Sequence, residues 1–202
     1  MAGVGHDVAL SIVGADRLPE SGYMRAKIVQ EKTIAESGLP YTIVRATQFD
    51  EFTESITRSL IVSDEVRVPN ALIQPVAAAD VSAEVARVAT AEPVNGNVEF
   101  GGPDKISFAD MARAVLAAQA VDKPVVVDPA ATYFGAPVAQ TSLVTGAGAT
   151  LATRRFADSG LSRAIPRQRA GVVSVCGPPR AFSSSTPSSP GVPARCPRRY
   201  RG

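Results

Sequence analysis

Tryptophan is absent from the 202 residues, histidine occurs once as His6, and cysteine twice as Cys176 and Cys196. The two cysteines sit near the C-terminus, at a spacing that matches no zinc or redox motif, so a disulfide framework or a thiolate metal site is not the basis of this fold. His6 lies beside the N-terminus, and neither a metal site nor a histidine-based triad is expected of it. No run of about 18 apolar residues is present, so no transmembrane helix is expected. The opening MAGVGHDVALSIVG lacks the basic stretch that starts a secretory signal. A cytoplasmic protein with no membrane partner is the expectation. Aromatic residues make up only 5%, yet the hydrophobic share of 45% is ordinary for a globular chain long enough for one sizeable domain.

Charge is unevenly spread. From Arg154 onward there are ten arginines, no lysine and one acid, Asp158. That segment carries +9, which leaves −7 on residues 1–153 out of a net +2. Residues 159–202 are rich in Arg, Pro, Ser and Gly, show neither helical nor strand periodicity, and have few large apolar groups. They are expected to be disordered. Their arginines lack interleaved aromatics, so nucleic acid is not an expected partner. The expected organisation is therefore a folded part, residues 1–158, and a tail, residues 159–202.

The folded part alternates two kinds of segment. Val8–Val13 is a short apolar run of the kind found in buried parallel strands. Tyr23–Ser37, rich in Ala, Ile, Lys, Glu and Gln and stopped by Gly38, reads as a helix. Tyr41–Val44 reads as a second strand. Strand, helix and strand in this order predict a parallel βαβ unit with a right-handed crossover. Further on, the pattern predicts helices over Phe49–Leu60, over Val81–Thr90 with Asp80 as its cap, and over Phe108–Ala118 capped by Ser107, with Asp110 three residues beyond the cap. Strands are expected at Val66–Val68, Leu72–Val76, Asn97–Phe100 and Val125–Val127. The class is α/β, and no internal repeat is visible.

Ser11 closes the first strand, and Tyr23 and Lys27 begin the next helix as Y-x-x-x-K. Residues four apart on a helix share a face. SGYMRAK therefore either holds a phenol and an ammonium as a proton-transfer pair or presents an ordinary surface pair. A phenol ordinarily loses its proton near pH 10, and a neighbouring cation favours the charged form, so such a pair suits proton donation to a carbonyl oxygen.

This layout resembles the short-chain dehydrogenase/reductase family. LSIVGADRLPESGYMRAKIVQEKTIAESGLPYTIVRATQF looks most like its atypical, NmrA-like branch, and the likeness continues through QPVAAADVS and FGGPDKISFADMARAV, over residues 7–157. The resemblance implies a partial Rossmann-like parallel sheet with a small substrate-binding region. It implies NADP or NAD as cofactor and a small-molecule substrate bearing a carbonyl or quinone. It implies Ser11, Tyr23 and Lys27 as catalytic residues, Ser11 bonding the substrate oxygen that Tyr23 protonates. Tyr23 and Lys27 would also hold the cofactor, Lys27 through the nicotinamide ribose. Ala46, Thr47 and Phe49 would lie in the loop that approaches the nicotinamide; Ala46 stands where the family usually has Pro. Many atypical members bind the dinucleotide without known turnover, so a non-catalytic sensor is the alternative, and a non-functional fragment a third.

A dinucleotide fold also needs a glycine-rich turn between its first strand and helix. Gly3-Val4-Gly5 has no strand before it. Thr145–Ala152 begins like the family's T-G-x-x-x-G-x-G but carries Thr150 and Ala152 where the later glycines belong, and it lies downstream of the triad. The expectation is a chain that lacks the family's first half, with weak or absent dinucleotide binding on its own. The abrupt end of the likeness after Asp158, where Lys vanishes and Arg, Pro, Ser and Gly rise, is what a shifted reading frame in GC-rich DNA would give. Resequencing the locus tests this, and an intact gene encoding the same tail would overturn it.

Overall fold

The computed structural model describes residues 3–158. Strand β1 (Asp7–Ile12) runs into a left-handed Gly14 and a 3-10 turn at Ala15–Arg17, then helix α1 (Gly22–Ala35). Gly14 has φ +80, and a Cβ there would stand 1.9 Å from the carbonyl oxygen of Ser142. Only glycine lets the chain turn there against the backbone of a distant segment. Strand β2 (Tyr41–Ala46) returns parallel to β1, with Ser11 opposite Arg45. The expected βαβ unit is present.

A 3-10 turn (Asp50–Phe52) and helix α2 (Thr53–Ser59) follow, so the segment expected as one helix is split in two. Three short strands come next, β3 (Ile61–Val62), β4 (Glu65–Val68) and β5 (Leu72–Ile73). The strand expected over Leu72–Val76 stops at Ile73. Beyond it the backbone turns to pair Val76 with Phe49, where the N–H of Asp50 donates to the Val76 carbonyl. Helix α3 (Ala78–Ala89) starts three residues earlier than the sequence suggests. Asp80 is therefore not the cap but lies in the first turn. The Ala78 N–H is met instead by the Glu51 carboxylate, at 3.1 and 3.2 Å, a cap supplied from outside the helix and invisible to local reading.

Strand β6 (Gly96–Gly101), strand β7 (Ile106–Ser107), helix α4 (Phe108–Ala118), strand β8 (Val125–Val127) and strand β9 (Thr150–Leu151) complete the described elements. The Ser107 cap is as expected: its Oγ accepts from the Asp110 N–H at 3.0 Å and donates to the Asp110 carboxylate at 2.7 Å. The main sheet is parallel throughout, in the order β1-β2-β6-β9. Smaller sheets join β3, β4 and β8, and β5 with β7.

Alternation along the strands decides what each sheet face meets. Val44, Ala46 and Phe100 point one way and pack with Val81 and Val88 of α3. Ser11 and Arg45 point the other way, toward α1. A larger apolar cluster joins Leu18, Met24, Val66, Val68, Ile73, Phe108, Met111 and Leu143, all fully or almost fully buried. The class is α/β, with helices on both faces of a parallel sheet, as expected. The expected disorder of residues 159–202 lies outside the described residues.

Candidate functional site

A cleft of about 410 Å³ opens beside the C-terminal ends of β1 and β2, the end of an open parallel sheet where ligands characteristically bind. Its wall includes Ser11 from β1, Tyr23, Met24 and Lys27 from α1, and the run Ala46, Thr47, Gln48 and Phe49 that leaves β2. The six residues singled out by the sequence therefore line one cavity. The right-handed crossover explains this: it brings the first turn of α1 over the end of the strand it follows, next to the end of the strand it leads to.

Lys27 is half-buried, and its Nζ donates to the Leu10 carbonyl at 3.2 Å and to Gln30 Oε1 at 3.1 Å. One ammonium proton is left for another acceptor. Tyr23 is 52% exposed. Its ring packs against Phe134, centroids 6.0 Å apart. Thr47 and Gln48 are buried, and neither the Thr47 hydroxyl nor either amide atom of Gln48 has a partner among the described residues. Unpaired buried polar groups are rare in folded proteins and point to a partner not supplied by the chain.

Ser11 is 3% exposed and does not stand alone. Its hydroxyl donates to Glu31 Oε1 at 2.5 Å. Arg45 reaches the same carboxylate twice, Nε to Oε1 at 3.0 Å and Nη2 to Oε2 at 2.6 Å, and touches Asp16 at 3.1 Å. The bond to Glu31 raises the Arg45 pKa above its ordinary value, against the opposing effect of burial. Glu31 and Arg45 were not among the expected site residues. The signal for Glu31 is nevertheless in the sequence: Tyr23, Lys27 and Glu31 recur every four residues, one stripe along α1.

The far wall was also missed. Tyr133 and Phe134 close the cleft over Tyr23, from a segment with no regular structure. Tyr133 and Ala136 exchange backbone hydrogen bonds at 2.8 and 3.0 Å, and Phe134 and Gly135 between them have φ of 48 and 75. This is a two-residue hairpin of type I′, in which Gly or Asn ordinarily fills the first central place. A phenylalanine there is strained, and it is held edge-on to Tyr133 at 4.6 Å while facing Tyr23. Burial, and then the nearby Tyr23, push the Tyr133 pKa well above the usual phenol range. Phe134→Asn relieves the backbone strain but loses both ring contacts. Stability is expected to stay within about 1 kcal/mol of the parent, with affinity for a flat cleft ligand falling about three- to tenfold. Thermal unfolding and ligand titration of the same sample check both halves.

No family model and no curated protein sequence matches the chain. Solved structures do. An NADPH-dependent quinone oxidoreductase from Escherichia coli superposes with a TM-score of 0.52 at 22% identity, over 62% of this chain and 46% of that one. The same enzyme complexed with NADPH matches at 26% identity with a TM-score of 0.46, over 63% and 45% of the two chains. A short-chain dehydrogenase/reductase superfamily protein from Agrobacterium tumefaciens with bound NAD matches at 15% identity and a TM-score of 0.45, over 63% and 56%. The likeness is one of fold, a Rossmann-like α/β arrangement around a parallel sheet. The chain spans about half the length of the solved structures it matches. Among the described residues no helix is long and apolar enough to cross a membrane, and no cluster of residues is arranged to hold a metal ion.

Proposed function

We propose that the cleft is the reacting end of an NAD(P)-dependent oxidoreductase of the atypical, NmrA-like type, in which a carbonyl or quinone-type small molecule is reduced in the cytoplasm. One observation carries this reading: Ser11, Tyr23 and Lys27 share a single cavity with the Ala46–Phe49 run. The nicotinamide end of a dinucleotide fits the residues present. A flat ring suits walls built from Phe49, Tyr133 and Phe134, and a ring carboxamide offers the donor and acceptor that the unpaired Thr47 hydroxyl and Gln48 amide lack.

The bound cofactor supplies a hydride. The residues of this chain do the rest. Tyr23 stands at the mouth of the cleft as the proton donor to the substrate oxygen. Lys27, with one ammonium proton uncommitted, holds a hydroxyl of the nicotinamide ribose and places positive charge beside the phenol. Ala46, Thr47 and Phe49 bound the nicotinamide face. The aromatic wall excludes water from the reacting atoms. Binding of the whole dinucleotide by residues 1–158 is weak or absent, because the sequence has no glycine-rich turn for the pyrophosphate between a strand and a helix.

Reduced nicotinamide mononucleotide tests this, since it carries the nicotinamide end alone. The full chain, given this donor deuterated at the transferring position and an aryl ketone or quinone, is expected to consume it and to place deuterium on the ketone carbinol carbon or reduce the quinone. Binding without consumption would make the cleft a sensor site. Neither binding nor consumption would mark a fragment without activity.

A further inference from the structure

Resting on the reading of the cleft as a substrate site, we propose that the Tyr133 hydroxyl is a second hydrogen-bond donor to the ligand oxygen that Tyr23 protonates, so that a carbonyl oxygen is held by two phenols. Tyr133 lines the cleft. The residue is only 6% exposed, yet its hydroxyl has no hydrogen-bond partner among the described residues, and solvent still reaches its oxygen. A buried phenol ordinarily finds a partner for its O–H. In a residue so nearly enclosed, the little exposure that remains and the unpaired O–H both point into the cleft it lines.

The ring that carries this hydroxyl is fixed. Tyr133 and Ala136 clasp the hairpin with backbone bonds of 2.8 and 3.0 Å, and the ring packs edge-on to Phe108, centroids 5.8 Å apart. Phe134 touches both phenol rings, Tyr133 at 4.6 Å and Tyr23 at 6.0 Å, which puts the two phenols on one wall. Their surroundings divide the work. Tyr23 is exposed and has Lys27 one helical turn on, which suits giving its proton away. Tyr133 is enclosed, and burial holds its proton in place. It therefore donates a hydrogen bond without transferring the proton. That bond steadies the negative charge that grows on the ligand oxygen as the hydride reaches the carbon. The proton that ends on the oxygen is the one from Tyr23.

Tyr133→Phe in the full chain tests this with two probes, acetophenone and ethylbenzene, which share a ring and differ at the oxygen. The wild type is expected to bind acetophenone the more tightly. In Tyr133→Phe, acetophenone is expected to bind about five- to tenfold more weakly, the worth of one hydrogen bond, and ethylbenzene as before. The thermal unfolding midpoint of the variant should be unchanged or slightly higher, because the hydroxyl removed bonds nothing within the described residues. A fall in stability, or a failure to fold, would show that the hydroxyl is held inside the protein and would overturn the assignment. Equal weakening of both probes would overturn it too, since that marks a loss of ring packing, as would acetophenone binding that does not change. In each of these cases binding of acetophenone by the wild type would leave the cleft a ligand site. If the wild type binds neither probe, the reading of the cleft falls together with the assignment of Tyr133.

Discussion

Tyr23→Phe is expected to lower turnover by about a hundred- to ten-thousand-fold, the range a well-placed general acid supplies. The variant keeps the ring and its contact with Phe134 and removes only a hydroxyl on a side chain that is 52% exposed. Folding stability should therefore hardly move, and the loss belongs to the chemical step. Measured with reduced nicotinamide mononucleotide and a ketone, the effect should fall on kcat, since Lys27 and the aromatic wall still bind. Lys27→Met should differ by raising the KM for the nicotinamide donor as well. If Tyr23→Phe turns over within twofold of the parent, the Tyr–Lys stripe is only a helix face, and the proton comes from elsewhere.

Glu31→Ala is expected to lower stability by about 3 kcal/mol, read from the shift in a urea or thermal unfolding transition. Removing one partner from a buried ion pair strands the other charge, which is far more damaging than never having had the pair. Arg45 keeps Asp16 at 3.1 Å, but that aspartate is half exposed and replaces only part of the lost interaction, which places the loss at the lower end of the usual range. Ser11 also loses its acceptor. Joining Glu31→Ala to Arg45→Met should recover most of the stability, because an apolar side chain in a mostly buried place needs no partner.

Much of the fold was legible because its signals are local. The apolar run ending at Val13, the helix stopped before Gly38 and the strand from Tyr41 are each written within a few residues, and a βαβ unit has one handedness. Those three facts put the start of α1 near the ends of both strands, and the family resemblance then pointed to Ser11, Tyr23, Lys27, Thr47 and Phe49, which line one cleft. The Ser107 cap was legible for the same reason, since both partners lie within one turn. The start of α3 was not, because its cap is Glu51, 27 residues away. The parallel pairing of β4 with β8 and of β6 with β9 was equally hidden, since two- and three-residue strands carry no period to read.

The sequence by itself determined the class of fold and the parallel unit, which follow from periodicity and the fixed hand of the crossover, while its family resemblance pointed to the phenol, ammonium and hydroxyl that line one cleft. Only the tertiary structure decided what closes the cleft and which way its polar groups act. Phe134 reaches Tyr23 through a strained turn more than a hundred residues further along the chain. Glu31 accepts the Ser11 hydrogen bond because Arg45, on another strand, holds the carboxylate in place. Neither could be read locally: the direction of a hydrogen bond depends on every group around it, and those groups come together only when the chain is packed.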